Sequence, residues 1–94
     1  MNNLTSPSTA PDILSRLRPM LACRLGRYDH EIEDHLDLVN ELYVDSLDLV
    51  EIEIGVAETF GISLSEQDML SMGTVGDLGR IISDKLTQFA GHAG

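Results

Sequence analysis

The sequence predicts an all-α fold, a small four-helix bundle of three longer helices and one short helix, with a long acidic loop between the first two. Three features of the chain point to it. Every apolar run of any length repeats at three or four residues, the period of one helix face; no segment alternates as strands do, and no internal repeat is visible. Good caps and left-handed stops bracket these runs, with Asp45 and Ser46 before the clearest of them and Gly61 after it. The 94 residues leave room for a single core, which must be aliphatic because the chain has no Trp, two Phe and two Tyr.

Residues 1–10, rich in Asn, Ser, Thr and Pro, and the tail 89–94, which ends in the small or weakly polar run Gly91 to Gly94, are expected to be flexible, leaving residues 11–88 as the domain. From Asp12, Leu14, Leu17, Leu21 and Leu25 share one face of a first helix that stops at Gly26. Pro19 lies within it, where it removes a backbone hydrogen bond and clashes with the preceding turn at a cost of about 3 kcal/mol, so a kink or break is expected there. Cys23, in the same helix, reads as a small packing residue. Tyr28 to Val44 is acidic, with apolar anchors at Ile32, Leu36, Leu38, Val39 and Leu42 but no period. It reads as a long loop with room for one short helical turn, and a loop of that length in a compact domain usually has a function.

Ser46 to Phe60 is the clearest helix. On its wheel Leu49, Ile52, Val56 and Phe60 fall within about 80° of one another and form the inner stripe. Leu47, Val50 and Ile54 lie opposite, flanked by Glu51 and Glu58, and cannot reach the same core. Ile62 and Leu64 then anchor a short link, Glu66 to Ser71 makes about one turn with Met69 and Met72 as gap fillers, and Thr74 caps a last helix running to about Gln88. Val75, Leu78, Ile81, Ile82, Leu86 and Phe89 supply its inner face.

The net charge of −10 is unevenly spread: no Lys or Arg lies between Tyr28 and Gly79, while fourteen of the sixteen Asp and Glu fall there. Such a block repels nucleic acid and anionic membranes and steers the chain toward basic partner surfaces. One cysteine allows no intrachain disulfide and no cysteine pair for a metal. With no apolar run of membrane-spanning length and no basic-then-apolar start, a soluble cytoplasmic protein is expected; a monomer is expected as well.

Ser46 is the residue on which chemistry would centre. A serine needs a neighbouring base to act as a nucleophile by itself, and His30 and His35 are more than ten residues away in sequence with no supporting motif, so no catalytic residue is assigned. A helix N-terminus is nevertheless a favourable place for a phosphate ester, although a serine so placed can also serve simply as a cap. His30 and His35 are five apart, a spacing that does not put two ligands on one helix face, and the acidic loop lacks a calcium-loop pattern; no metal site is assigned.

The run Val44-Asp45-Ser46-Leu47-Asp48-Leu49-Val50-Glu51, followed at the right distance by Glu58-Thr59-Phe60-Gly61-Ile62 and then by Thr74-Val75-Gly76-Asp77-Leu78, resembles the acyl carrier protein family over about residues 10–88. The resemblance implies a four-helix carrier bundle in which Ser46, beside Asp45, accepts 4'-phosphopantetheine from coenzyme A by the action of a phosphopantetheinyl transferase. The arm then holds acyl groups as thioesters, and the chain itself catalyses nothing. It also implies that Leu47, Val50 and Ile54, rimmed by Asp48, Glu51 and Glu58, dock acyl-transferring, ligating or condensing enzymes that present basic surfaces.

The chain departs from the family pattern at Pro19, at Tyr43, where a glycine is common, and at Glu53, on the edge of the inner face. These departures favour a specialised acyl pathway, polyketide or other, over housekeeping fatty acid synthesis, with Glu53 restricting any cargo cavity. A peptidyl or aminoacyl carrier commonly has Gly-Gly-x-Ser-Leu and a less acidic second helix, and an unmodified acidic interaction module would use the docking strip without the arm. Because the acidic block repels itself, added salt or magnesium is expected to raise the melting temperature; an unchanged value across a salt series would show that self-repulsion is not a significant destabilising force.

Overall fold

A computed structural model describes residues 10–93, with side chains over residues 13–88. The helices are α1 (Ala10–Leu25), α2 (Ser46–Phe60), α3 (Glu66–Ser71) and α4 (Val75–Ala93), with a single 3-10 turn at Asp29–Glu31 inside the loop. The bundle, the three long helices and the short one agree with the reading of the sequence. The expectations for residues 1–9 and for the side chain of Phe89 fall outside the described residues.

α1 packs against both α2 and α4. Its Ile13, Leu17, Leu21 and Ala22 are buried with Ile52, Val56 and Phe60 of α2 and Val75, Leu78 and Ile82 of α4. α1 is unbroken through Pro19, so the expected break does not occur. Leu17 and Leu21 on either side of Pro19 have no exposed surface, while Pro19 itself faces solvent, so side-chain packing holds the turn against the lost hydrogen bond. Cys23 is exposed rather than packed, because Ala22 takes the buried position next to it. α4 continues to Ala93, past the expected end near Gln88. Gly91 weakens a helix by only about 1 kcal/mol, and Ala90 and Ala93 on either side of it are the best helix formers.

The pairs across α1 and α2 run in opposite directions. The Arg16 guanidinium donates to the carbonyl of Thr59 and lies 4.7 Å over the Phe60 ring, and Arg24 reaches Glu51 and Glu58. Between them Gly55 is buried against Met20, and a Cβ there would collide with the Met20 sulfur. This close approach rotates the buried stripe of α2 toward Gly55. Leu49 is consequently only partly buried and Glu53 lies in solvent, so Glu53 does not intrude on the core as its wheel position suggested.

The acidic loop is a hydrogen-bonded strap. Ile32, Leu38, Leu42 and Val44 are buried and Leu36 packs at their edge, whereas Val39, expected as an anchor, is 57% exposed. Asp37 explains that exception: its Oδ1 accepts the N–H groups of Val39 and Asn40 at 2.9 and 2.8 Å, which turns the chain outward there. Backbone bonds from Leu38 N–H to Gly73 O (2.8 Å), Val75 N–H to Leu36 O (3.1 Å) and Gly76 N–H to Asp34 O (2.8 Å) fasten the loop to the start of α4. Arg18 of α1 pairs with Asp34 at 2.6 Å, and Arg27 donates to Leu42 O at 3.3 Å.

Both later helices begin in capping boxes. Thr74 Oγ1 accepts the Asp77 N–H at 3.0 Å, and Asp77 Oδ2 accepts the N–H groups of Gly73 and Thr74. Ser65 and Asp68 do the same for α3, a helix of six residues too short to persist alone, and Lys85 of α4 holds Asp68 at 2.9 Å. The Thr74 and Gly73 backbone donors, with Arg80, hold the Asp77 carboxyl below the ordinary aspartate range. A depressed folded-state value contributes stability that is present above the unfolded-state value and is lost as pH falls through the folded one. Asp77→Ala is therefore expected to lose about 1 kcal/mol at neutral pH, measured by urea titration. The gap from wild type should narrow as pH drops below about 4; a gap independent of pH would show that the charge of Asp77 contributes nothing.

Candidate functional site

The site assembles where the strap meets α2. Val44 is buried, and its N–H donates to Leu38 O at 2.8 Å, which fixes the approach of the chain. Asp45 is the cap: its Oδ1 accepts the Asp48 N–H at 2.9 Å, and its own N–H donates to Asp48 Oδ2 at 3.2 Å. Of the two candidate caps in the sequence, Asp45 takes the position and Ser46 becomes the first residue of the helix. Ser46 is exposed, its hydroxyl is not committed to the cap, and the positive end of the α2 dipole lies at its base.

Tyr43 is the only non-glycine residue with positive φ among those described, at 59°. Leu42 N–H bonds back to Asp37 O at 3.0 Å and Val44 N–H to Leu38 O at 2.8 Å, so the chain reverses sharply between two buried side chains. The residue in between must take the left-handed conformation, which disfavours a Cβ by roughly 1–2 kcal/mol. Its ring is 73% exposed and contributes little burial in return. The sequence marked Tyr43 as an unusual residue beside the site, but the strain is visible only in the backbone.

Along the outer side of α2, Leu47, Val50 and Ile54 are 76%, 49% and 41% exposed, so the strip read from the sequence is an uncovered face of the molecule. Its acidic rim is less free than expected. Arg24 Nη1 lies 2.7 Å from Glu51 Oε1, and Nη2 lies 2.5 Å from Glu58 Oε1. The hydrogen bond to Glu51, with the charge of Glu58, raises the guanidinium above its ordinary value. Asp48 is occupied in the cap. The sequence held a hint of this fork, since Glu51 and Glu58 are two turns apart on one face, but which cation faces them depends on how α1 packs. His30 stacks on the Tyr28 ring with centroids 5.6 Å apart, and His35 lies 3.6 Å from Glu33. Among the described residues no group of three or more His, Cys, Asp and Glu is placed to hold a metal ion.

Residues 15–82 match the family model described as "Phosphopantetheine attachment site". The chain is 35% identical over 74 residues to the acyl carrier protein of Coprothermobacter proteolyticus, covering 79% of this chain and 90% of that one. It is 29% identical over 75 residues to the acyl carrier protein of Thermotoga maritima, covering 80% and 93%. The chain belongs to the acyl carrier protein family.

The family's covalent cofactor is phosphopantetheine, and the start of α2 suits it. An acyl carrier protein needs an exposed hydroxyl where a phosphodiester is tolerated, and the first turn of a helix offers N–H groups and a favourable dipole for that charge. Asp45 and Asp48 keep their carboxylates directed into the capping box beside it. The left-handed residue three positions before Ser46 gives this site its own test. Tyr43→Gly is expected to raise the unfolding free energy by about 0.5–1 kcal/mol, strain relief exceeding the added entropy of the unfolded glycine chain. A lower urea midpoint would mean instead that the exposed ring is held by contacts worth more than the strain.

Proposed function

We propose that Ser46 carries the phosphopantetheine arm and that the chain serves as a non-catalytic acyl carrier in a cytoplasmic acyl pathway, fatty acid, polyketide or another specialised one. The observation that carries this reading is the exposed Ser46 hydroxyl at the first residue of α2, released from capping because Asp45 makes the cap bond. The terminal thiol of the arm, when present, holds an acyl group as a thioester.

In the loading step the Ser46 oxygen bonds to the β-phosphorus of coenzyme A and the pyrophosphate P–O bond breaks. Adenosine 3',5'-bisphosphate leaves, and the hydroxyl proton passes to a base of the transferase, because the carboxylates nearest to Ser46 in sequence, Asp45 and Asp48, are engaged by backbone N–H groups in the capping box. Asp45 and Asp48 orient the serine by fixing the first turn, and the helix end favours the new phosphodiester charge. Leu47, Val50 and Ile54 provide the apolar contact for the transferase and for acyl-handling enzymes, with Asp48, Glu51 and Glu58 as the acidic rim that meets a basic partner.

Intact mass after incubation with coenzyme A, magnesium and a broad-specificity phosphopantetheinyl transferase tests this. The wild type is expected to gain one phosphopantetheine, about 340 Da from the formula of the group, and Ser46→Ala none. A gain that persists in Ser46→Ala would move the arm to another residue, and no gain in the wild type with several transferases would remove the carrier function.

A further inference from the structure

Among the described residues, the fork from Arg24 to Glu51 and Glu58 is the one place where the chain's own cation occupies the acids of its exposed α2 face. Arg24 lies in the last turn of α1, with its side chain three-quarters buried, and both pairs are at contact distance. The acids themselves remain accessible, at 47% and 66% side-chain exposure. A partner that docks on Leu47, Val50 and Ile54 with a Lys or Arg over these acids meets a guanidinium already in place.

We propose that Arg24 is a specificity-determining residue that stands in for the partner's cation. It weakens docking to any basic surface that reaches the C-terminal half of α2 and must be displaced for full engagement. The inference rests on the docking face of the proposed function. Its physical basis is competition: an exposed or half-exposed ion pair contributes little to stability, so exchanging the internal cation for an external one is close to balanced. The acids then hold the partner only to the extent that Arg24 yields. Arg18 provides a control of equal charge, because it pairs at 2.6 Å with Asp34 in the loop and not with α2.

Steady-state loading of Ser46 by the transferase, at low salt and varied carrier concentration, measures the effect. Arg24→Gln is expected to lower KM by about three- to tenfold with little change in kcat, and the difference should fade in 0.5 M salt, added as a screening condition. Arg18→Gln, with the same net charge, is expected to keep the wild-type KM. An unchanged KM in Arg24→Gln, or an equal fall in both variants, overturns the proposal, the latter by reducing the effect to net charge. If Arg24→Gln does not fold, the wild type decides by NMR. The Arg24 Nε–H resonance is expected to shift as transferase is added while that of Arg18 stays, and an unmoved Arg24 resonance overturns the proposal. Wild-type carrier that is never loaded removes the docking reading and this inference together, an outcome distinct from loading at unchanged KM.

Discussion

The contact of α1 with α2 is the constraint on which the rest of the structure depends. Met20 seated against Gly55 fixes both the distance between the helices and the rotation of α2 about its axis. Arg16 on Thr59 and Phe60, and Arg24 on Glu51 and Glu58, fix their relative register from either end. Once α2 is rotated so that Ile52, Gly55, Val56 and Phe60 are buried, Leu47, Val50 and Ile54 have no core left to enter. The uncovered apolar strip is therefore a consequence of core packing. A glycine in mid-helix costs about 1 kcal/mol against alanine, and the close approach it allows compensates.

The same contact takes up two of the chain's six cations, Arg16 and Arg24. All six Lys and Arg are engaged within the fold: Arg16, Arg18, Arg24 and Arg27 of the first third on α2 and the strap, Arg80 on Asp77 and Lys85 on Asp68. The cations thus stitch the molecule together, while acids such as Glu53 are left in solvent. A chain of net charge −10 thereby presents a negative field outward, most of it set by where its few positive groups are placed.

The strap turns a long irregular segment into a positioning device for Ser46. Its buried anchors and the backbone bonds to Gly73, Val75 and Gly76 leave little freedom at Val44. The remaining geometric mismatch is absorbed at Tyr43, whose left-handed backbone sits three residues from the serine. Local strain of this kind arises where the two ends of a segment are fixed by separate parts of the core.

The four helices, a cap at Asp45 or Ser46, the left-handed stop at Gly61 and the exposed strip were all legible in the sequence, because each follows from local capping chemistry or from the helical period. Two local expectations were overridden: Pro19 did not break α1, and α4 ran on past Gln88. The fork of Arg24, the exposure of Glu53 and the conformation of Tyr43 were not legible. Each depends on how two segments far apart in sequence meet. By itself the sequence determined that there are four helices, in which order and of what relative length, and that one of them begins at Asp45-Ser46. The tertiary structure alone decided which acids are neutralised, how far the buried face of α2 turns toward Gly55 and where strain collects, since the fine rotation of a helix is set by side-chain volumes at an interface and not by its periodicity.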